Sequence, residues 1–217
     1  MTAESLYHVV HKSPDAPPEG GAPLLLLLHG YGANEEDLLG LAPYLDARLI
    51  CVSVRAPYAL DFGGFAWFNI EIGAEGLRFA FAEAEEPLAQ VLSLVDALRQ
   101  EHRPTRVFIA GFSQGASMAL AAALKRPRDF AGAIALSGLC CPEMLPENVA
   151  AVQGLKVFMS HGRFDPVIPI AQARASRDLL LPLGLDLRYK EYDMPHAIAQ
   201  PCLEDLDAWL RARLDTP

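Results

Sequence analysis

A set of short, uninterrupted apolar runs constrains this chain more than any other feature. Leu24–Leu28 is a run of leucines, and Leu49–Val54, Arg106–Ala110, Gly132–Leu136 and Lys156–Met159 repeat the pattern. A strand with one face in water alternates apolar and polar residues; a strand covered on both faces has no polar side. The first four runs end close to glycine, proline or serine. They read as parallel strands buried on both faces. The later stretch "LDLRYKEYDM" alternates more and suits a strand nearer an edge, and "LYHVVHK" suits an outer strand.

Helix-like segments lie between the runs: Glu35–Asp46 with Asn34 as N-cap, Glu83–His102, Gln114–Lys125, Ile170–Leu181 and Ala199–Leu214. Strand, loop and helix in repetition predict an α/β fold with a mostly parallel central sheet and helices on both faces. Active sites of such sheets gather at the carboxyl ends of the strands. Residues 57–86, "PYALDFGGFAWFNIEIGAEGLRFAFAEAEE", break the rhythm with aromatics and glycines in no clean period. A connection that long reads as a functional loop or a lid-like excursion from one domain spanning residues 1–217.

Composition removes several function classes. A formal net charge of −9 with no basic stripe argues against a nucleic-acid partner. The longest apolar run is far too short to span a bilayer, and the N-terminus lacks the basic-then-apolar pattern of a signal peptide. Cys51, Cys140, Cys141 and Cys202 have no metal-binding spacing, and a bond between the adjacent pair would be strained. Reduced thiols in a cytoplasmic protein, with no metal site, are the expectation.

"RVFIAGFSQGASMALAAAL" carries the chemistry. The pattern G-x-S-x-G at Gly111–Gly115 arises by chance in roughly one chain in fifteen of this length. Its context adds weight, because a strand precedes Ser113 and a small-residue helix follows it, as in a nucleophile elbow. A glycine-flanked turn holding an inert serine is the bland alternative. A serine needs a base, and that base needs an orienting carboxylate. His8, His11 and His102 suit the surface, whereas His29 and His161 sit in "HG" pairs at strand ends and suit packed, hydrogen-bonded roles. His196, in "YDMPHAIAQP", falls after the last strand and before the final helix, where the order Ser…Asp/Glu…His puts the base. Asp165 in "SHGRFDPVIP" is the matching acid, with Asp193 and Asp186 as competitors.

An oxyanion needs backbone N–H groups aimed at it. Gln114, after the serine, supplies one, and Tyr31 in the turn "HGYGANEED" supplies the other. Glu35, Glu36 and Asp37 form an acidic cluster that suits a helix start better than catalysis. Phe62, Trp67 and Phe68 on the excursion, with Val167 and Ile168 beside Asp165, are candidates for the wall of an acyl pocket.

Taken together, "LLLHGYGANEEDL", "GFSQGASMAL", "HGRFDPVIP", "RAPY…GGFAWF" and His196 resemble the phospholipase/carboxylesterase family of α/β hydrolases, which includes small bacterial carboxylesterases and acyl-protein thioesterases. The resemblance runs from Leu24 through nearly all of the chain. It implies Ser113 as nucleophile, Asp165 as acid, His196 as base, and Tyr31 and Gln114 as oxyanion donors. Pro195 departs from the glycine that many members carry before the catalytic histidine. The expected activity is hydrolysis of carboxylic esters of short to medium acyl chains through an acyl-enzyme. Acyl-thioester hydrolysis, of the acyl-protein thioesterase or lysophospholipase kind, is the alternative, with a peptidase or C–C hydrolase further behind. No cofactor is expected, and the partner is a small-molecule or acylated substrate. A homodimer is one option for the oligomeric state. A binding protein on this fold would need a broken triad, and a dienelactone-type hydrolase would need cysteine at position 113.

Overall fold

The computed structural model describes residues 6–14, 21–73, 76–79 and 81–216. The strands are β1 (His8–Lys12), β2 (Leu24–Leu28), β3 (Ile50–Val54), β4 (Tyr58–Ala59), β5 (Phe65–Ala66), β6 (Ile70–Gly73), β7 (Gly76–Phe79), β8 (Val107–Phe112), β9 (Gly132–Leu136), β10 (Lys156–Gly162) and β11 (Asp186–Tyr192). The α-helices are α1 (Glu85–His102), α2 (Gln114–Lys125), α3 (Ile170–Leu180) and α4 (Gln200–Leu214). Seven strands form the main sheet in the order β1-β3-β2-β8-β9-β10-β11. Only β1 runs antiparallel, on one edge, and β11 closes the other.

The apolar runs divide between two cores. Leu24, Leu26 and Leu28 point to a core shared with α1 and α2, and Leu25 and Leu27 point to one shared with α4. The alternation continues across the sheet. Ile109, Ala133, Ala135, Val157 and Met159 face the first core; Phe108, Ile134, Leu136 and Phe158 face the second. On the second side Trp209 of α4 packs against the rings of Phe108 and Phe158, at 6.3 and 6.0 Å between centroids. Fully burying a side chain of this size stabilises by about 1.5–3 kcal/mol. Two-sided burial is thus why these strands carry no polar face.

Two expected elements differ. The segment expected as a helix over Glu35–Asp46 is only a 3-10 turn, Leu38–Tyr44. Pro43 inside it has no N–H to give, and Gly40 weakens the helix further. Asn34 Oδ1 accepts from Glu36 N at 2.8 Å, which is a local side-chain turn rather than an N-cap. The described residues of the excursion at 57–86 form two antiparallel pairs, β4–β5 and β6–β7, and a 3-10 turn, Phe81–Ala84, that leads into α1; residues 74, 75 and 80 lie outside the described residues.

The winding of the sheet positions the site. From β2 the chain steps outward to β3; from β8 it steps the other way to β9. The loops leaving the adjacent carboxyl ends of β2 and β8 therefore diverge, and a crevice opens between them.

Candidate active site

Ser113 stands between β8 and α2 with φ 54° and ψ −117°, a backbone region that costs a non-glycine residue about 1–3 kcal/mol. Its own N–H donates to Leu136 O at 2.8 Å, which ties the elbow to β9. The flanking glycines have a steric reason. A Cβ at Gly111 would lie 2.0 Å from Gly115 O, and one at Gly115 would lie 2.0 Å from Leu28 O. Only glycine lets strand, helix and the neighbouring β2 approach so closely.

The three expected side chains meet. Ser113 Oγ lies 2.9 Å from His196 Nε2, and His196 Nδ1 lies 2.6 Å from Asp165 Oδ2. The other carboxylate oxygen of Asp165, Oδ1, accepts from Val167 N and Ile168 N, each at 2.8 Å. The acid is therefore clamped by its own loop, and its free oxygen faces the imidazole. The loops of acid and base are also joined through the backbone: Arg163 N donates to Tyr192 O and Phe164 N to Met194 O. Pro195 does not displace the imidazole. Its carbonyl accepts from Ala197 N at 2.8 Å and packs over Gly162, where a Cβ would meet Pro195 O at 2.5 Å.

The competitors lie elsewhere. Exposed Asp193 pairs with Arg163 at 2.7 Å, and Asp186 starts β11 at the far end of the sheet and pairs with Arg213. His8 and His11 lie on β1, and His102 ends α1, buried there rather than at the expected surface position. Glu35 is not at a helix start; it is buried in an ion pair with Arg55, which stacks between the Tyr7 and Phe65 rings. Hydrogen bonding from Arg55 holds the Glu35 carboxyl below its usual range.

Burial lowers the pKa of both His29 and His161, and this outweighs the backbone hydrogen bonds that work to raise it. His161 Nε2 donates to Ile168 O at 2.8 Å and lies 3.3 Å from Asp165 Oδ2. His29 Nδ1 donates to Gly30 O at 2.7 Å, and its Nε2 accepts from Ala56 N at 3.0 Å. Those partners define a neutral ring protonated on Nδ1.

The turn after β2 lies against the elbow, since a Cβ at Gly30 would be 3.4 Å from Ser113 Cβ. In the trans peptide between Gly30 and Tyr31, the C=O and N–H point opposite ways. His29 holds the carbonyl, so the Tyr31 N–H is directed away from that ring. Among the described residues, neither Tyr31 N nor Gln114 N donates to a backbone acceptor.

The expected acyl-pocket wall needs correction. Trp67, Phe68 and Ile168 are each 0% exposed and belong beneath the site, with no surface to offer a substrate. Phe62 and Val167 are exposed, at 74% and 43%, and Phe62 packs against the Tyr31 ring with centroids 6.2 Å apart. Phe164, one residue before the acid, is also exposed. Three contacts at the site were not read from the sequence. The Phe112 ring lies 4.8 Å from the His196 ring, His161 approaches the acid, and the Gln114 side chain reaches the excursion. Phe112 and His161 had a signal, since each is one to four residues from a triad member at a strand end.

A serine–imidazole–carboxylate relay at the crevice of a mostly parallel sheet defines the class: an α/β hydrolase. The comparisons with known proteins narrow it. Residues 11–214 match the Phospholipase/Carboxylesterase family model. Acyl-protein thioesterase 1 of Eremothecium gossypii is 37% identical over 205 residues, covering 88% of this chain and 87% of the relative. Esterase YpfH of Escherichia coli is 31% identical over 202 residues, covering 88% and 82%. The crystal structure of the Bacillus cereus carboxylesterase superposes with a TM-score of 0.81 at 25% identity, over 97% of this chain and 96% of that one. This chain belongs to the phospholipase/carboxylesterase family. No helix among the described residues is long and apolar enough to cross a membrane.

Proposed function

We propose that this protein is a serine hydrolase that cleaves carboxylic esters of short to medium acyl chains through an acyl-enzyme on Ser113. The carrying observation is the relay of 2.9 and 2.6 Å from Ser113 through His196 to Asp165. His196 takes the Ser113 proton as Oγ attacks the acyl carbonyl. The oxyanion is received by the N–H groups of Tyr31 and Gln114. His196 then protonates the leaving group, and in the second half-reaction it activates water to release the acid. Asp165 keeps the Nδ1 proton on His196 and offsets the imidazolium charge.

Exposed Phe62 and Val167, with Tyr31 and Phe164, give the mouth an apolar rim that favours acyl chains over charged substrates. Relatives named as esterases and as acyl-protein thioesterases support ester and thioester cleavage alike, since both leaving groups use one relay. The four free cysteines suit a reducing compartment, and a single domain acting in the cytoplasm on small or acylated substrates fits that reading.

Replacing Ser113 with alanine tests it. Hydrolysis of p-nitrophenyl butyrate should fall by at least about 10⁴-fold while circular dichroism and Tm stay those of the native protein. A fully active Ser113→Ala variant would overturn the assignment. An acyl-chain series of matched oxygen and sulfur esters then separates the two substrate classes by kcat/KM.

A further inference from the structure

The residues of the excursion that the sequence suggested for an acyl wall have a different set of contacts. Trp67 N donates to Gln114 Oε1 at 2.8 Å, and Gln114 Nε2 donates to Phe68 O at 2.7 Å. The Gln114 side chain is fully buried, and both ends of its amide are satisfied by the backbone of this one dipeptide. From the same residue, Trp67 Nε1 donates to His29 O at 2.9 Å. The indole also packs on the His29 ring, 5.7 Å between centroids. Trp67 therefore bonds on one side to the residue after Ser113, and on the other to the residue two before Tyr31. Those are the two loops that diverge from β8 and β2.

The preceding residues make the same connection. Gly32 N donates to Phe65 O and Phe65 N to Ala33 O, each at 2.9 Å, so β5 pairs with the turn that carries Tyr31. Gly64 lies so close that a Cβ there would be 2.0 Å from Gly32 O. All of these bonds are buried or backbone to backbone, and the indole hydrogen bond lies in the low-dielectric interior.

We infer that Trp67 is a positioning residue for the oxyanion hole: it bridges the turn bearing Tyr31 and the elbow bearing Gln114, and so fixes the separation of the two N–H donors. The inference rests on the proposed role of those N–H groups. It assigns the excursion a work different from that of a lid. A strand pair that bonds to both donor loops holds them in register whether or not substrate is present. Oxyanion donors act through being placed before charge develops, so a shift of a few tenths of an ångström in their spacing weakens the transition state more than the bound substrate.

Trp67→Phe keeps an aromatic ring, removes the bond to His29 O and leaves a smaller ring at a fully buried position, a packing loss that Tm reads separately. Its kcat on p-nitrophenyl butyrate should fall about 10- to 100-fold, with KM within about threefold of native. Phenylboronic acid forms a tetrahedral anion on the serine, and its Ki should rise by the same factor as kcat falls. Titration with a fluorophosphonate counts competent sites, so every rate is expressed per folded enzyme. Gln114→Met, which removes both amide bonds at similar volume, carries the same test at the other end if Trp67→Phe does not fold.

Native kcat and native boronate Ki per titrated site would overturn the inference. So would a loss confined to the number of titratable sites, since that marks a purely structural residue. Ser113→Ala run alongside separates the two levels. If it is inactive while Trp67→Phe is unaltered, the bridge alone is wrong. If it is active, the oxyanion assignment falls and the bridge with it.

Discussion

Asp165→Asn exchanges one oxygen for a nitrogen at the most densely hydrogen-bonded carboxylate of the site. Its Oδ1 receives two backbone N–H groups at 2.8 Å, and its Oδ2 faces His196 Nδ1 at 2.6 Å with His161 Nε2 at 3.3 Å. All of these neighbours can donate, and an asparagine offers one acceptor where the aspartate offered two. The orientation it takes follows from the cost of each choice. Turning its NH₂ toward Val167 N and Ile168 N strands two buried donors, at about 1–3 kcal/mol each. Keeping its oxygen there strands none, because His196 can shift its proton from Nδ1 to Nε2 and accept from the NH₂ instead. That second arrangement wins by several kcal/mol, and it is the inactive tautomer: a donor on Nε2 cannot take the Ser113 proton. The expected loss in kcat is about 10⁴-fold, or about 5 kcal/mol on the barrier. Stopped or continuous assay with p-nitrophenyl butyrate measures it, with Tm as the control that the loop bonds survive. Activity within tenfold of native, with the fold intact, would refute the tautomer argument and the role of Asp165 together.

Gly115→Ala places a methyl 2.0 Å from Leu28 O and 2.5 Å from His29 O, both backbone atoms that cannot turn aside. We expect a cost of about 1–3 kcal/mol or more and a Tm lowered by several degrees, read by calorimetry; a native Tm would contradict the close approach of α2 to β2. The buried neutral histidines set a pH response. His29 and His161 have folded values below their ordinary 6.5, so the unfolded chain takes up their protons first as pH falls. Their contribution to stability is complete above about pH 6.5 and declines below it by up to about 1.4 kcal/mol per pH unit for each ring. Thermal unfolding between pH 7.5 and 5 measures that slope, and His161→Leu should flatten it by about one proton; parallel slopes would disprove the assignment. Carboxylates held low by arginine, such as Glu35 and Asp96, lose their contribution only below about pH 4.5, outside this window.

Much of the fold was legible because two-sided burial writes itself into composition. Leu24–Leu28 and Gly132–Leu136 are strands over the same residues that the apolar runs marked. The meeting of Ser113, His196 and Asp165 was legible because chain order and strand ends fix where each must fall. What failed to read was long-range or cooperative. Glu35–Asp46 has the charge pattern of a helix start, yet Gly40 and Pro43 leave it only a 3-10 turn, and Glu35 is drawn to Arg55 on another strand end. Trp67 and Phe68 are aromatic residues on a long connection, a description that fits a pocket wall and a buried plug equally. Only the bond from Trp67 N to a glutamine side chain 47 residues away in sequence separates the two, and no local pattern records it.

The sheet order has a consequence for how long the site stays whole. Ser113 hangs from β8, which has a parallel neighbour on each side, whereas His196 follows β11, an edge strand paired to β10 alone. A strand with one neighbour opens locally at lower free energy than one held from both sides. Ser113 and His196 therefore sit in regions of unequal local stability. The hydrogen bond to Asp165 and the contact with Phe112 serve as the moorings of His196 where the sheet gives it least. Local opening at that edge parts His196 from Ser113 first, with the serine still standing in its place.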